Sequence, residues 1–158
     1  MAAHTDNDIL IDAPLATVWR IANDVRGWPQ LFEGEYADAE VLEEDGNRVR
    51  FRLTTVPDEQ GRQFSWISER VADPEHGTVT ARRITTGPFL YMHIFQSFQE
   101  QPGGTRLRWV QDFETLPAAP FTDEQMAARI NANSRTQLAR HKLVAESVAA
   151  VSGRTAGR

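Results

Sequence analysis

Between Tyr36 and Glu114 the sequence repeats one pattern about six times: a short alternating stretch, then a turn signal. The stretches are Tyr36 to Glu44, Arg48 to Thr55, Phe64 to Ala72, Gly77 to Ile84, Phe89 to Glu100 and Thr105 to Glu114. Asp45-Gly46, the Pro57–Gly61 segment, Gly87-Pro88 and Pro102-Gly103-Gly104 punctuate them. Asp-Gly suits a tight hairpin because both residues accept positive φ. Links this short leave no room for crossover helices, so consecutive strands must run antiparallel. Ahead of this run, residues 4–12 end in the alternating pair Ile9 and Ile11 and read as a first strand. Ala13-Pro14 breaks it. Leu15, Val18, Trp19 and Ala22 then recur at helical spacing up to Asn23, and Trp28-Pro29 opens a second short helix through Phe32. Beyond Pro117 and Pro120, Thr122-Asp123-Glu124-Gln125 starts a helix that can run to about Val151. The fold class is therefore α+β, a strongly bent antiparallel sheet packed on one long C-terminal helix. A sheet wrapped over a helix leaves a hollow between them.

The 158 residues fit one domain, expected over residues 1–151, with a Gly-, Ser- and Arg-rich tail at 152–158 expected to be disordered. The chain has no cysteine, which excludes a disulfide scaffold, a thiol nucleophile and a thiolate metal site. No apolar run is long enough for a membrane span, and the polar, acidic start does not read as a secretory signal. A cytoplasmic location is the expectation. The net charge of −5 argues against nucleic acid as a partner. Lys142 is the only lysine, so imine chemistry would have to rest on it.

The period of two assigns faces. Phe64, Trp66, Ser68 and Arg70 share one side of their strand, and the aromatics choose that side as interior. Leu107, Trp109, Gln111 and Phe113 share another, with Arg106, Arg108 and Asp112 opposite. The Phe89–Glu100 strand is apolar on both faces, which leaves Met92 and His93 ambiguous. Met126, Ile130, Asn133, Gln137 and His141 form a helical stripe whose middle is polar. An unpartnered arginine in a closed core is very costly. Either Arg70 pairs with Glu69, Glu35 or Asp112, or a bulge turns it to solvent, or the interior is a solvated pocket. Inward Arg70, Ser68, Gln111, Asn133 and Gln137 beside Trp28, Trp66 and Trp109 suit a pocket. For Trp66 and Trp109 plain core packing is favoured over ligand stacking, and for Tyr36 core packing with a bonded hydroxyl is the default. His4, His76 and His141 read as surface residues. No histidine pair has metal-like spacing, and no nucleophile triad or phosphate-binding loop is visible, so no metal or cofactor is expected.

The segments HTDNDILIDAP, VWRIANDVRGWPQLF, EYADAEVLEEDG, WISERV, TGPFLYMHI and RWVQDFE resemble the single-domain aromatase/cyclases of bacterial aromatic polyketide synthesis, of the tetracenomycin and spore-pigment types. The likeness runs from about Thr5 to about Ser134. It implies the helix-grip fold of the START and Bet v 1-like superfamily. It also implies an enzyme acting on a poly-β-ketone carried by an acyl carrier protein of a minimal polyketide synthase. Such an enzyme folds the chain, directs first-ring aldol closure and promotes dehydration to an aromatic ring. On this likeness Arg70 and Tyr36 are catalytic, and Trp28, Phe32, Trp66, Ser68, Met92, His93, Trp109, Gln111, Asn133 and Gln137 bind substrate. Two departures stand out: the family's YMN reads Tyr91-Met92-His93, and the last helix diverges around Asn133 and Gln137.

Aldol closure places negative charge on oxygen, which a fixed guanidinium stabilises. Arg70 would hold that oxygen and Tyr36 would donate a proton. Arginine is too weak an acid to be converted into a base. The base is open among Tyr36, His93, water and a substrate enolate. An acidic carrier protein needs basic residues, and Arg82 and Arg83 near Gly87-Pro88 are the candidates; Arg48, Arg50 and Arg52 read as solubilising surface. The chain is expected to be a monomer or weak homodimer. The alternative function is a non-catalytic binding or transport protein for a hydrophobic or aromatic ligand.

Overall fold

The computed structural model describes residues 2–156, with side chains described as far as Val151. The tail expected at 152–158 thus lies outside the described side chains. Strand β1 (Ala3–Ile11) leads into α1 (Leu15–Asn23), a 3-10 turn (Val25–Gly27) and α2 (Trp28–Leu31). Six strands follow: β2 (Tyr36–Asp45), β3 (Arg48–Thr55), β4 (Ser65–Asp73), β5 (Thr78–Arg83), β6 (Phe89–Gln101) and β7 (Gly104–Thr115). Helix α3 (Asp123–Ala156) closes the chain. The sheet has the order β1-β7-β6-β5-β4-β3-β2, and every pairing is antiparallel. It is a meander from β2 to β7, with β1 returning beside β7.

Local chemistry sets the ends of these elements. Pro14 stands before α1, where its missing N–H costs nothing, and Pro29 occupies the first turn of α2. Thr122 and Gln125 form a reciprocal capping box on α3: the Thr122 hydroxyl accepts from the Gln125 N–H (3.1 Å), and the Gln125 side chain accepts from the Thr122 N–H (2.9 Å). Gly104 begins β7 at φ +136, where a Cβ would lie 1.9 Å from the Ile11 carbonyl oxygen. Only glycine lets β1 approach β7 so closely.

Register defines the interior. One ladder row crosses the sheet as Val49, Arg70, Ala81, Ile94, Gln111 and Thr5. The next row runs Ala72, Val79, Gln96, Trp109 and Asn7. Helix α3 lies along β1 and β7 and against α1. Two apolar clusters hold it. The larger gathers Ile11, Val18, Trp28, Phe32, Phe51, Phe98, Leu107, Trp109 and Leu138; the smaller joins Phe89, Met92, Phe113, Met126 and Ile130. Each large side chain fully buried in this way is worth about 1.5–3 kcal/mol. Between the clusters lies the polar row that contains Arg70 and Gln111.

Three expectations about faces need correction. Phe64 is 53% exposed, because it precedes β4 in the hairpin connection, where no element covers it; its ring lies under Arg62 instead. On α3 the buried stripe is Met126, Ile130, Ser134, Leu138, His141 and Ala145. Asn133 is exposed, one residue and about 100° around the helix from Ser134, which takes the inward place. His141 is not a surface residue: it is 2% exposed, on the inner stripe.

Candidate active site

Arg70 is 4% exposed, and its guanidinium meets no carboxylate among the described residues. Its Nη2 donates to Asn23 Oδ1 (2.9 Å) and, at longer range, to Gln96 Oε1 (3.4 Å). Its guanidinium carbon lies 5.1 Å from the Trp28 ring centroid. Burial pulls Arg70 down to about 10, so it remains charged at neutral pH. The salt-bridge readings do not hold, nor does a bulge to solvent: β4 keeps regular register through Arg70. The supports are themselves fixed. Asn23 Nδ2 donates to the Trp19 carbonyl (2.9 Å) and Trp28 Nε1 to the Ala22 carbonyl (3.2 Å), so the α1–α2 corner orients both partners.

Arg83 is a second inward cation. It sits opposite Ser68 in the β4–β5 ladder, 4.1 Å from the Trp66 ring centroid and 5.0 Å from that of Phe89. Burial lowers it to about 10, and the nearby Tyr36 offsets part of that. Its expected place at a docking surface is therefore corrected. Only Arg82 points outward, 3.6 Å from Glu69. The alternation Val79, Ala81, Arg83 against Thr80 and Arg82 was the available signal.

Tyr36 leads β2 and packs edge-on against Phe32 and Trp66. Gln137 Nε2 donates to Glu35 Oε1 (2.6 Å) and approaches the Tyr36 hydroxyl oxygen (3.4 Å). Burial, with the Glu35 carboxylate beside it, pushes the Tyr36 phenol well above its ordinary range, so it is an acid or donor rather than a base. Burial also raises the Glu35 carboxyl, partly offset by the Gln137 amide. Gln111 donates from Nε2 to Ser134 Oγ (3.0 Å), tying β7 to α3. His141 stands between Phe32 (5.2 Å) and Trp109 (5.3 Å). Burial pulls its imidazole down to about 4, and the charge of Arg70 adds to the shift.

The structure thus brings together Arg70, Tyr36, Trp28, Phe32, Trp66, Ser68, Trp109, Gln111 and Gln137 on one interior. Met92 faces inward but belongs to the smaller apolar cluster. His93 does not face the site. It is exposed on the outer side of β6 with its ring 5.2 Å from Tyr91, because Met92, Ile94, Gln96 and Phe98 take the inner parity. Sequence reasoning missed Asn23, Gln96, Ser134 and the inward side of Arg83 and His141. For Asn23 no periodic signal exists, since a helix-end asparagine reads as a cap. Ala81, Ile94 and Gln111 face inward yet keep part of their surface open, as do Trp66, Tyr36, Arg83 and Gln137. These side chains lie between the sheet and α3, which Gln111 and Ser134 bridge directly. A separate open groove of about 740 Å³, between Asp12–Leu15, Glu100–Gly104 and Glu146–Ala150, contains none of these side chains. Asp73, Glu75 and His76 come within ligating range of one another on the β4–β5 turn. Lys142 is engaged by the Leu10 carbonyl and by Glu146.

A buried, carboxylate-free guanidinium beside aromatic rings and neutral amides is an arrangement suited to negative charge on a ligand's oxygen. Residues 2–146 match the family described as polyketide cyclase/dehydrase and lipid transport, and the chain belongs to it. A protein named as a polyketide cyclase in Streptomyces cyaneus is 52% identical over 139 residues, which are 88% of this chain and 91% of that one. The actinorhodin polyketide synthase bifunctional cyclase/dehydratase of Streptomyces coelicolor is 30% identical over 135 residues, 85% of this chain and 41% of that longer one. The Zhui aromatase/cyclase from Streptomyces sp. R1128 superposes with a TM-score of 0.81 at 24% identity, over 92% of this chain and 94% of that one, so its fold is shared. These homologues place the chain among the polyketide cyclases, the enzymes of its family.

Proposed function

We propose that the protein folds a poly-β-ketone bound to an acyl carrier protein and directs its first-ring aldol closure, dehydration and aromatisation. The observation that carries this reading is Arg70: a permanent charge kept buried without an anion of its own needs one from a ligand. An enolate or alkoxide oxygen supplies it during ring closure, and beside a buried guanidinium the stabilisation is large. Asn23 and Gln96 hold the guanidinium so that little reorganisation is needed on reaction. Tyr36 donates to a second oxygen and assists loss of water. Ser68, Gln111 and Gln137 hold further ketones, and the walls of Trp28, Phe32, Trp66 and Trp109 restrict how the chain folds, which supplies orientation. Arg83 extends the cationic side toward the β5–β6 loop, where a tethered substrate would enter. Carrier docking then rests on Arg82 and the loops around that opening.

Arg70→Ala, reconstituted with a minimal synthase and carrier protein, should lower the ratio of aromatised to shunt products about 100-fold, as loss of one oxyanion donor does. An unchanged ratio would remove Arg70 from the mechanism.

A further inference from the structure

We propose that His141 is the general base of the ring closure, its Nε2 taking a proton from a methylene flanked by two ketones. This assignment rests on the cyclisation proposed above and supplies the base that it lacks.

His141 Nδ1 lies 2.8 Å from the Gln137 carbonyl oxygen. That oxygen can only accept, so Nδ1 carries the hydrogen, and in a neutral imidazole Nε2 then holds the lone pair. Nε2 makes no hydrogen bond among the described residues. A ring with one nitrogen anchored to backbone and the other left open is arranged as a base is, with its tautomer and direction fixed in advance. The aromatic rings of Phe32 and Trp109 hold it from two sides. The charged groups that face it are few. From β4, Arg70 acts on it directly; Tyr36 at the start of β2 and Glu35 just before it reach it only through Gln137. With no carboxylate against it and burial around it, the ring is neutral at physiological pH and its lone pair is available.

The other sources of a base are weaker. Tyr36 is held protonated, His93 lies on the outer face, and the Glu35 carboxyl is tied to Gln137. In the reaction, Nε2 takes the methylene proton and the C–H electron pair becomes the enolate C=C, with charge on the oxygen at Arg70. The enolate carbon then attacks a ketone carbon, forming the C–C bond as the carbonyl π pair moves onto oxygen. The imidazolium returns its proton to that alkoxide. His141 ends neutral, and no external acid, base or oxidant is consumed. As negative charge develops on the oxygen at Arg70, it offsets the guanidinium's charge and stabilises the imidazolium that forms in the same step.

The test uses His141→Gln, His141→Ala and Arg70→Ala with the minimal synthase and carrier protein, each checked for folding by its thermal midpoint. Folded His141→Gln should lose at least tenfold in the ratio of aromatised to shunt products, since general bases contribute about 10²–10⁴-fold. Added imidazole should restore part of the loss in His141→Ala. Folded His141→Gln with the wild-type ratio, beside an impaired Arg70→Ala, overturns the assignment. If Arg70→Ala also behaves as wild type, the cyclisation reading itself fails. Should both histidine variants misfold, ¹⁵N NMR of the wild-type imidazole decides. An unprotonated Nε2 at pH 7 supports the assignment, and a hydrogen on Nε2 overturns it.

Discussion

His141 ties the interior to acid stability. Its imidazole titrates near 4 in the folded protein and near 6.5 when exposed. The unfolded chain therefore binds the proton more readily. The stabilisation is complete above pH 6.5 and is lost as pH falls through 4, a swing of about 3 kcal/mol. Urea unfolding at pH 7 and pH 4.5 should show this loss, and His141→Gln should flatten the slope across that window. At this scale legibility followed geometry. Ser68, Arg70 and Gln111 were readable because a strand alternates strictly, so Trp66 on β4, and Trp109 with Phe113 on β7, fix the face of every second residue. Asn133 was misplaced because a helix spreads its inward stripe over several adjacent positions, and one residue moves a side chain by about 100°. Arg83 was read by the company of Arg82 rather than by the parity of Val79 and Ala81. Asn23 and Gln96 became visible only with the guanidinium they hold.

Among the elements, α3 depends on its start. It is long and polar over much of its surface, and the Thr122–Gln125 box satisfies two amide groups that would otherwise lack partners. Thr122→Ala should cost about 1 kcal/mol in urea unfolding while leaving the product ratio unchanged, because the cap lies about five helical turns before His141. A change in product ratio without a change in stability would show that the cap shapes the site directly. The hairpins were legible because their turn residues are punctuation in themselves: Asp45-Gly46 and Pro102-Gly103-Gly104 sit at the turns they mark. Strand β6 was not, since Tyr91, His93 and Phe95 are as apolar in pattern as Met92, Ile94 and Phe98. The sheet covers one side only, and Phe95 remains 39% exposed on the other.

Over the whole molecule, charge is sorted by face. Outside, arginines meet carboxylates: Arg48 with Glu43 and Glu69, Arg50 with Glu69, and Arg52 with Glu40. Arg50 and Arg48 together hold the Glu69 carboxyl below its usual range. Such pairs add little stability, and Arg82, the most loosely paired arginine of that face at 3.6 Å from Glu69, keeps the most positive charge free for an acidic partner. Inside, Arg70 and Arg83 have aromatic rings and amides instead. These two inward cations have no carboxylate partner among the described residues, unlike the paired arginines of the outer strands. That contrast is the central claim, and the product distribution of a minimal synthase and its carrier protein, with and without the wild-type protein, tests it most directly. Addition of the protein should replace a mixture of shunt products with a single first-ring aromatised series. An unchanged mixture, from folded protein at stoichiometric concentration, would contradict the account.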